Sequence, residues 1–154
     1  MLYLCINNNN FFVPNMSFTI SKNYNSLNHS KFLIKYHIIF VCKYRRLVLA
    51  NNITDAAMKK ILFEIADISA FCIEVMESDK DHIHMMISSV PKISPLSIVR
   101  KLKQESTVRI WKEHPDILHK FYWKEHMFWT EGYFVATTGC ASQETIEQYI
   151  QNQG

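Results

Sequence analysis

The run best suited to chemistry is Asp81-His82-Ile83-His84-Met85, because it sets two imidazoles two positions apart inside an apolar stretch. Strand side chains alternate faces. In a strand, His82 and His84 therefore share one surface, from which both can reach the same metal ion, while Ile83, Met85 and Ile87 supply the opposite, core-facing one. Neutral imidazole is the commonest protein metal ligand. Taken alone, the pair reads more simply as two strand histidines satisfied by their neighbours. Asp81 can orient an imidazole from behind, although a polar residue closing a turn is the plainer account of it.

A second group lies near the C-terminus. After Gly139, the segment from Ser142 to Gln153 starts like a capped helix, with Gln143 and Glu144 following the serine and Ile146 and Ile150 spaced as an apolar stripe. Tyr149 and Gln153 stand at i and i+4, so a phenol and an amide oxygen project from one face roughly 5–6 Å apart and can serve one site. By itself the segment favours a short amphipathic helix with a packed tyrosine and a solvated glutamine.

The elements that must position these groups follow from periodicity. Phe32 to Val41 is a β-branched and aromatic run with the marks of a central strand, and Lys43-Tyr44-Arg45-Arg46 places three cations and a ring at its end. Thr54-Asp55 reads as the cap of a helix carrying Met58, Ile61, Leu62, Ile65 and Ile68. A strand from Phe71 to Met76, the polar turn Glu77-Ser78-Asp79-Lys80 and the histidine strand Asp81 to Val90 form a hairpin. Pro91 and Pro95 precede a helix from Leu96 to Glu113, which His114-Pro115 ends, and Tyr133 to Thr137 makes a fourth strand. The order strand-helix-strand, strand-helix-strand, then a terminal helix, is the α+β, ferredoxin-like or RRM-like split βαβ arrangement, an antiparallel sheet with its helices on one face.

Composition sets the limits. At 154 residues, 48% apolar, with 3 Gly and 4 Pro, the chain suits one ordered domain rather than a disordered one. Residues 1–30, rich in Asn and Ser, read as a flexible tail and residues 31–154 as the domain. Seventeen basic against fourteen acidic side chains leave a net charge of +3, so a nucleic-acid partner must be held by local clusters rather than by bulk charge. Cys5, Cys42, Cys72 and Cys140 are widely spaced, without a C-x-x-C pair, as expected of free thiols in a reducing cytoplasm. No run approaches membrane-spanning length, and the N-terminus lacks the basic start of a signal peptide.

Four stretches together carry a resemblance: the strand ending in Lys43-Tyr44-Arg45, the Asp81-His82-Ile83-His84 motif, the Trp129 to Gly139 segment, and Tyr149 to Gln153. In this order and spacing the chain resembles the TnpA-type single-tyrosine transposases of the HUH endonuclease superfamily, which mobilise small bacterial insertion sequences through single-stranded DNA. The resemblance covers nearly everything from residue 30 onward. It implies that His82 and His84 are metal ligands with Gln153 as the third, that Tyr149 is the nucleophile, and that the ion is Mg or Mn. It also implies cleavage and rejoining of hairpin-bearing element ends through a 5′-phosphotyrosine, by a homodimer in which the tyrosine helix of one subunit can complete the partner's site. Two departures stand out: a stretch precedes the first strand, and the chain ends one residue after Gln153, where fraying would weaken that ligand.

For DNA contact, Lys43, Arg45 and Arg46, with Arg100, Lys101, Lys103, Arg109 and Lys112 on the second helix, are candidate phosphate partners, and Tyr44 and the Trp123/Trp129 region can stack on unpaired bases. A charged helix face is usually just solvated, and most of these aromatics belong in a core. His37, His114, His119 and His126 lie outside the motif and read as structural or surface groups. The competing functions are a domesticated HUH nickase that cuts similar DNA without moving an element, and a non-catalytic RRM-like nucleic-acid-binding module. The second would present aromatics on its sheet, where this chain presents histidines.

Overall fold

The computed structural model describes residues 31–137, and before them only the backbone of short strands within 11–30. Those strands, β1 (Phe11–Val13), β2 (Met16–Ile20), β3 (Asn25–Leu27) and β4 (Ser30–Phe32), pair antiparallel in sequence order. The remainder of the stretch read as a tail lies outside the described residues, as does everything after Thr137.

The body is a four-stranded antiparallel sheet of β5 (Ile34–Val41), β6 (Phe71–Ser78), β7 (His82–Ser89) and β8 (Phe134–Thr137), in the spatial order β6-β7-β5-β8. With α1 (Asn52–Asp67) joining β5 to β6 and α2 (Pro95–Glu113) between β7 and β8, this is the ferredoxin-like arrangement expected from the pattern. A short helix, α3 (Pro115–Leu118), restarts the chain after His114 ends α2. The sequence pattern gave no sign of it, since four residues are too few to show a period.

The two helices lie on one face because alternate strand residues turn to meet them. Ile38 and Phe40 of β5, Ile73 and Met76 of β6, and Ile83, Met85 and Ile87 of β7 pack in one buried cluster with Met58, Ile61, Leu62 and Ile65 of α1 and Ile98, Leu102 and Ile110 of α2. Burying a side chain of this size contributes about 1.5–3 kcal/mol, so this layer supplies most of the driving force. The segment 121–129 adds Tyr122, Phe128 and Trp129 to the same cluster. Ile39 and Val41 form a separate cluster with Phe134 on the opposite face.

Local chemistry sets the boundaries. The cap of α1 is Asn51 rather than Thr54: its Oδ1 accepts from the amides of Ile53 and Thr54, at 3.0 and 3.3 Å. Thr54 is buried one turn in, and Asp55 instead accepts from Lys59 and from the Ser78 hydroxyl, tying α1 to β6. An asparagine three residues upstream offers the same capping chemistry as Thr-Asp, so composition could not choose between them. For α2 the cap is Ser94, followed by Pro95 in the first turn, where a missing N–H costs nothing. A register shift between Ile73 and Val75 frees Glu74 to accept from Lys35 of β5, at 2.7 Å, and from Ser88 of β7, bracing three strands at one point.

Truncating Leu62, fully buried between α1 and the sheet, is expected to cost about 2–5 kcal/mol through lost transfer and cavity terms. Denaturant unfolding of Leu62→Ala, followed by circular dichroism, measures it; a loss below 1 kcal/mol, on the scale of an ordinary surface change, would contradict this packing.

Candidate active site

His82 and His84 stand on the face of β7 turned away from the helices, while Ile83, Met85 and Ile87 are buried against them. Their ring centroids are 4.9 Å apart. The alternation read from the sequence thus brings the pair together on one surface. The cross-strand partners are Val41 for His82 and Ile39 for His84 on β5, with Glu77 of β6 on the other side of His84.

Asp81 is not a simple turn residue. Its carboxylate is buried, with one oxygen 2.7 Å from His82 Nδ1 and the other accepting from Arg45 Nε at 2.8 Å. A carboxylate on Nδ1 selects the tautomer protonated there and leaves Nε2 with its lone pair for a ligand. Burial pushes the Asp81 carboxyl up, but the hydrogen bonds and charges of His82 and Arg45 outweigh it and hold the group ionised below the ordinary carboxylate range.

Arg45 reaches Asp81 because the chain leaves β5 through an unusual corner. Tyr44 and Arg45 have φ of 56° and 49°, in the left-handed region that glycine tolerates best. Such a corner, at a cost of order 1–3 kcal/mol per residue, persists because neighbouring hydrogen bonds hold it. The Cys42 amide donates to the Asp81 carbonyl at 2.8 Å, the Lys43 amide to Phe128 at 2.7 Å, and the Leu49 amide to Lys80 at 3.0 Å.

His84 has a partner that sequence reading missed. His37, on the adjacent strand, lies with its Nε2 3.3 Å from His84 Nδ1. Burial, reinforced by the nearby His82 and His37 rings, pushes His84 down to about 4, so it is neutral near pH 7 and able to coordinate. Burial also lowers His37. The available signal was its place in β5 two residues before Ile39, which pairs with His84. Together His37, Val75, Glu77, His84 and Met86 line a cavity of about 340 Å³.

The other candidates divide by layer. Lys43, Tyr44 and Arg46 cluster with Arg45 at the end of β5, beside the histidines. Arg100 and Lys101 ride on α2, across the sheet from them. Lys103 turns inward instead of toward solvent: its ammonium donates to the carbonyls of Thr130, Glu131 and Gly132 and lies 5.1 Å from the Phe40 ring centre. Burial lowers this lysine to about 8. Arg109 pairs with Glu64 and Glu105 on the helical surface. Among the described residues no three His, Cys, Asp or Glu side chains are grouped to hold a metal ion. Tyr149 and Gln153, expected to complete the site, lie outside the described residues. Among the described residues no helix is long and apolar enough to cross a membrane.

Comparison with known proteins gives a consistent answer. The family model for IS200-like transposases matches residues 30–153. The chain is 34% identical over 128 residues to the transposase of insertion sequence element IS200 from Salmonella typhimurium, covering 83% of this chain and 82% of that one. It is 30% identical over 120 residues to the ISDra2 transposase TnpA of Deinococcus radiodurans, covering 78% and 84%. A crystal structure of a Deinococcus radiodurans R1 protein assigned as a transposase superposes with a TM-score of 0.74 at 28% identity, over 83% of this chain and 96% of that one.

If Asp81 fixes the His82 tautomer, nitrogen NMR of the imidazoles should show His82 protonated at Nδ1 in the native protein and shifted toward the Nε2-protonated form in Asp81→Ala. The same substitution is expected to cost about 1–3 kcal/mol, since it strands hydrogen-bond donors of Arg45 and His82. An unchanged tautomer would remove Asp81 from the site.

Proposed function

Because the chain belongs to the IS200-like transposase family, and so is a DNA-cleaving and strand-transferring enzyme, we propose that it cuts and rejoins the single-stranded, hairpin-bearing ends of an insertion sequence through Tyr149. The observation that carries this reading is the pair of imidazoles 4.9 Å apart, one held by Asp81 and the other neutral against His37.

The donor set fits a divalent ion. Two imidazoles with one amide oxygen, from Gln153, leave positions open for phosphate and water, as Mg²⁺ or Mn²⁺ requires, with nitrogen ligands favouring the latter. Such an ion supplies polarisation of the scissile phosphate and stabilisation of charge on the departing oxygen.

The remaining work falls to the chain. The Tyr149 phenol, with an ordinary pKa of about 10, must lose its proton as its oxygen forms the bond to phosphorus. The bond from phosphorus to the 3′-oxygen breaks, and that oxygen leaves as a 3′-hydroxyl once protonated. The 5′-phosphate remains on the tyrosine. The phosphodiester is thereby exchanged rather than hydrolysed, so a 3′-hydroxyl from another strand can reverse the step and join new ends without ATP. The family resemblance supports a homodimer acting in the cytoplasm, with Tyr149 supplied to the partner subunit's histidines.

Incubating the protein with Mn²⁺ and labelled single-stranded element ends should yield a denaturation-resistant protein–DNA adduct. Tyr149→Phe is expected to abolish the adduct while leaving hairpin binding nearly intact; an adduct at normal yield would place the nucleophile elsewhere. His82→Ala and His84→Ala should each impair cleavage severely and Gln153→Ala more mildly, because a neutral amide is the weakest of the three ligands. Full activity of the native enzyme in excess chelator would end the metal assignment.

Trans assembly has its own expected outcome. Co-expressed Tyr149→Phe and His82→Ala/His84→Ala chains should recover part of the cleavage, since a mixed dimer rebuilds one site from intact parts. Verified heterodimers without recovery would put the tyrosine helix on its own subunit.

A further inference from the structure

The β5 corner that sends Arg45 inward to Asp81 sends Tyr44 outward. There its ring stacks on Trp123, with centroids 5.2 Å apart and planes 23° from parallel. Both rings are exposed, Tyr44 at 46% and Trp123 at 70%, whereas the other two tryptophans, Trp111 and Trp129, are buried. An open stacked pair of this kind gains nothing from the core and offers a flat apolar surface to a planar partner.

We propose that the Tyr44–Trp123 pair is a platform on which one unpaired nucleobase of single-stranded DNA stacks beside the histidine site. The inference rests on the substrate class proposed above and assigns a place on the chain to one of its bases. The surrounding charge favours a nucleic acid over another planar occupant. Arg46 and Lys124, both exposed, follow Tyr44 and Trp123 closely in sequence, and the Lys43 ammonium lies 5.5 Å from the Tyr44 ring centre and 3.7 Å from the exposed Glu131 carboxylate, so cations flank the rings. Of the neighbouring acids, Glu131 pairs with Lys43 and Glu125 lies 3.8 Å from His119.

The platform is also built in advance. The Lys43 amide donates to the Phe128 carbonyl, Tyr122 Oη to the same oxygen at 3.1 Å, and Trp111 Nε1 to the Met127 carbonyl at 2.9 Å, so the loop bearing Trp123 is anchored to the corner bearing Tyr44 and to α2. Binding then requires little ordering of the protein. Position completes the case. From Tyr44, one residue of backbone and the Arg45–Asp81–His82 relay lead to the first histidine, so a base on the platform and a phosphate at the histidines can belong to one short stretch of strand.

The test uses the full-length protein and labelled single-stranded element ends carrying a single abasic site moved stepwise along the unpaired flank. Trp123→Ala is expected to weaken binding of the intact strand by about tenfold or more, in the range set by one base–aromatic stack. One abasic position should weaken the native protein similarly and add nothing to Trp123→Ala. Tryptophan emission should be quenched by the strand in the native protein and not in Trp123→Phe, which keeps a ring and binds nearly as the native protein does. Equal affinity of Trp123→Ala and the native protein for every strand, or quenching that survives Trp123→Phe, overturns the platform while the adduct assay still stands. A native protein that forms no adduct and binds no single strand overturns the proposed function and the platform with it.

Discussion

The buried carboxylate of Asp81 is the interaction on which the site depends. It is shared between Arg45, arriving from the end of β5, and His82, at the start of β7, so it joins two strand ends through one side chain. A buried ion pair is weak evidence for stability, because desolvation offsets much of the attraction. Its value here is positional. With both oxygens engaged, the carboxylate stays ionised and the imidazole is held in one tautomer and one orientation.

His84 reaches a similar condition by different means. It has no carboxylate on its Nδ1 but another imidazole, and burial among rings keeps it neutral. One histidine is thus oriented by a carboxylate and the other kept neutral by burial. Each ring is thereby held in place by its neighbours, which is the property the proposed phosphoryl chemistry needs from this surface.

Much of this was legible in the sequence, where periodicity is strong. The alternation through His82 to Ile87 placed the pair on one face, and the 3.6-residue spacing of Met58, Ile61, Leu62 and Ile65 located α1. What escaped depended on contacts distant along the chain. His37 is joined to His84 only through the β5–β7 register, and register is not written in either strand alone. Lys103 looked like a phosphate contact because a charged helix residue usually faces water; three carbonyls ahead of β8 draw it inward instead. Asp81 was read as closing a turn because its neighbours are polar, and only the left-handed corner at Tyr44 and Arg45 brings a guanidinium to it. No propensity rule favours such a conformation for tyrosine or arginine.

That corner sets stability and chemistry against each other. Glycine at 44 would adopt the same backbone at lower steric cost, so variants chosen only for a higher melting temperature should drift toward it there. Tyr44→Gly would discard the ring, yielding a protein that folds more firmly around a poorer site, whereas Arg45→Gly would strand the buried Asp81 carboxylate and lose more than the backbone gains. Thermostability is therefore a misleading proxy for fitness at position 44.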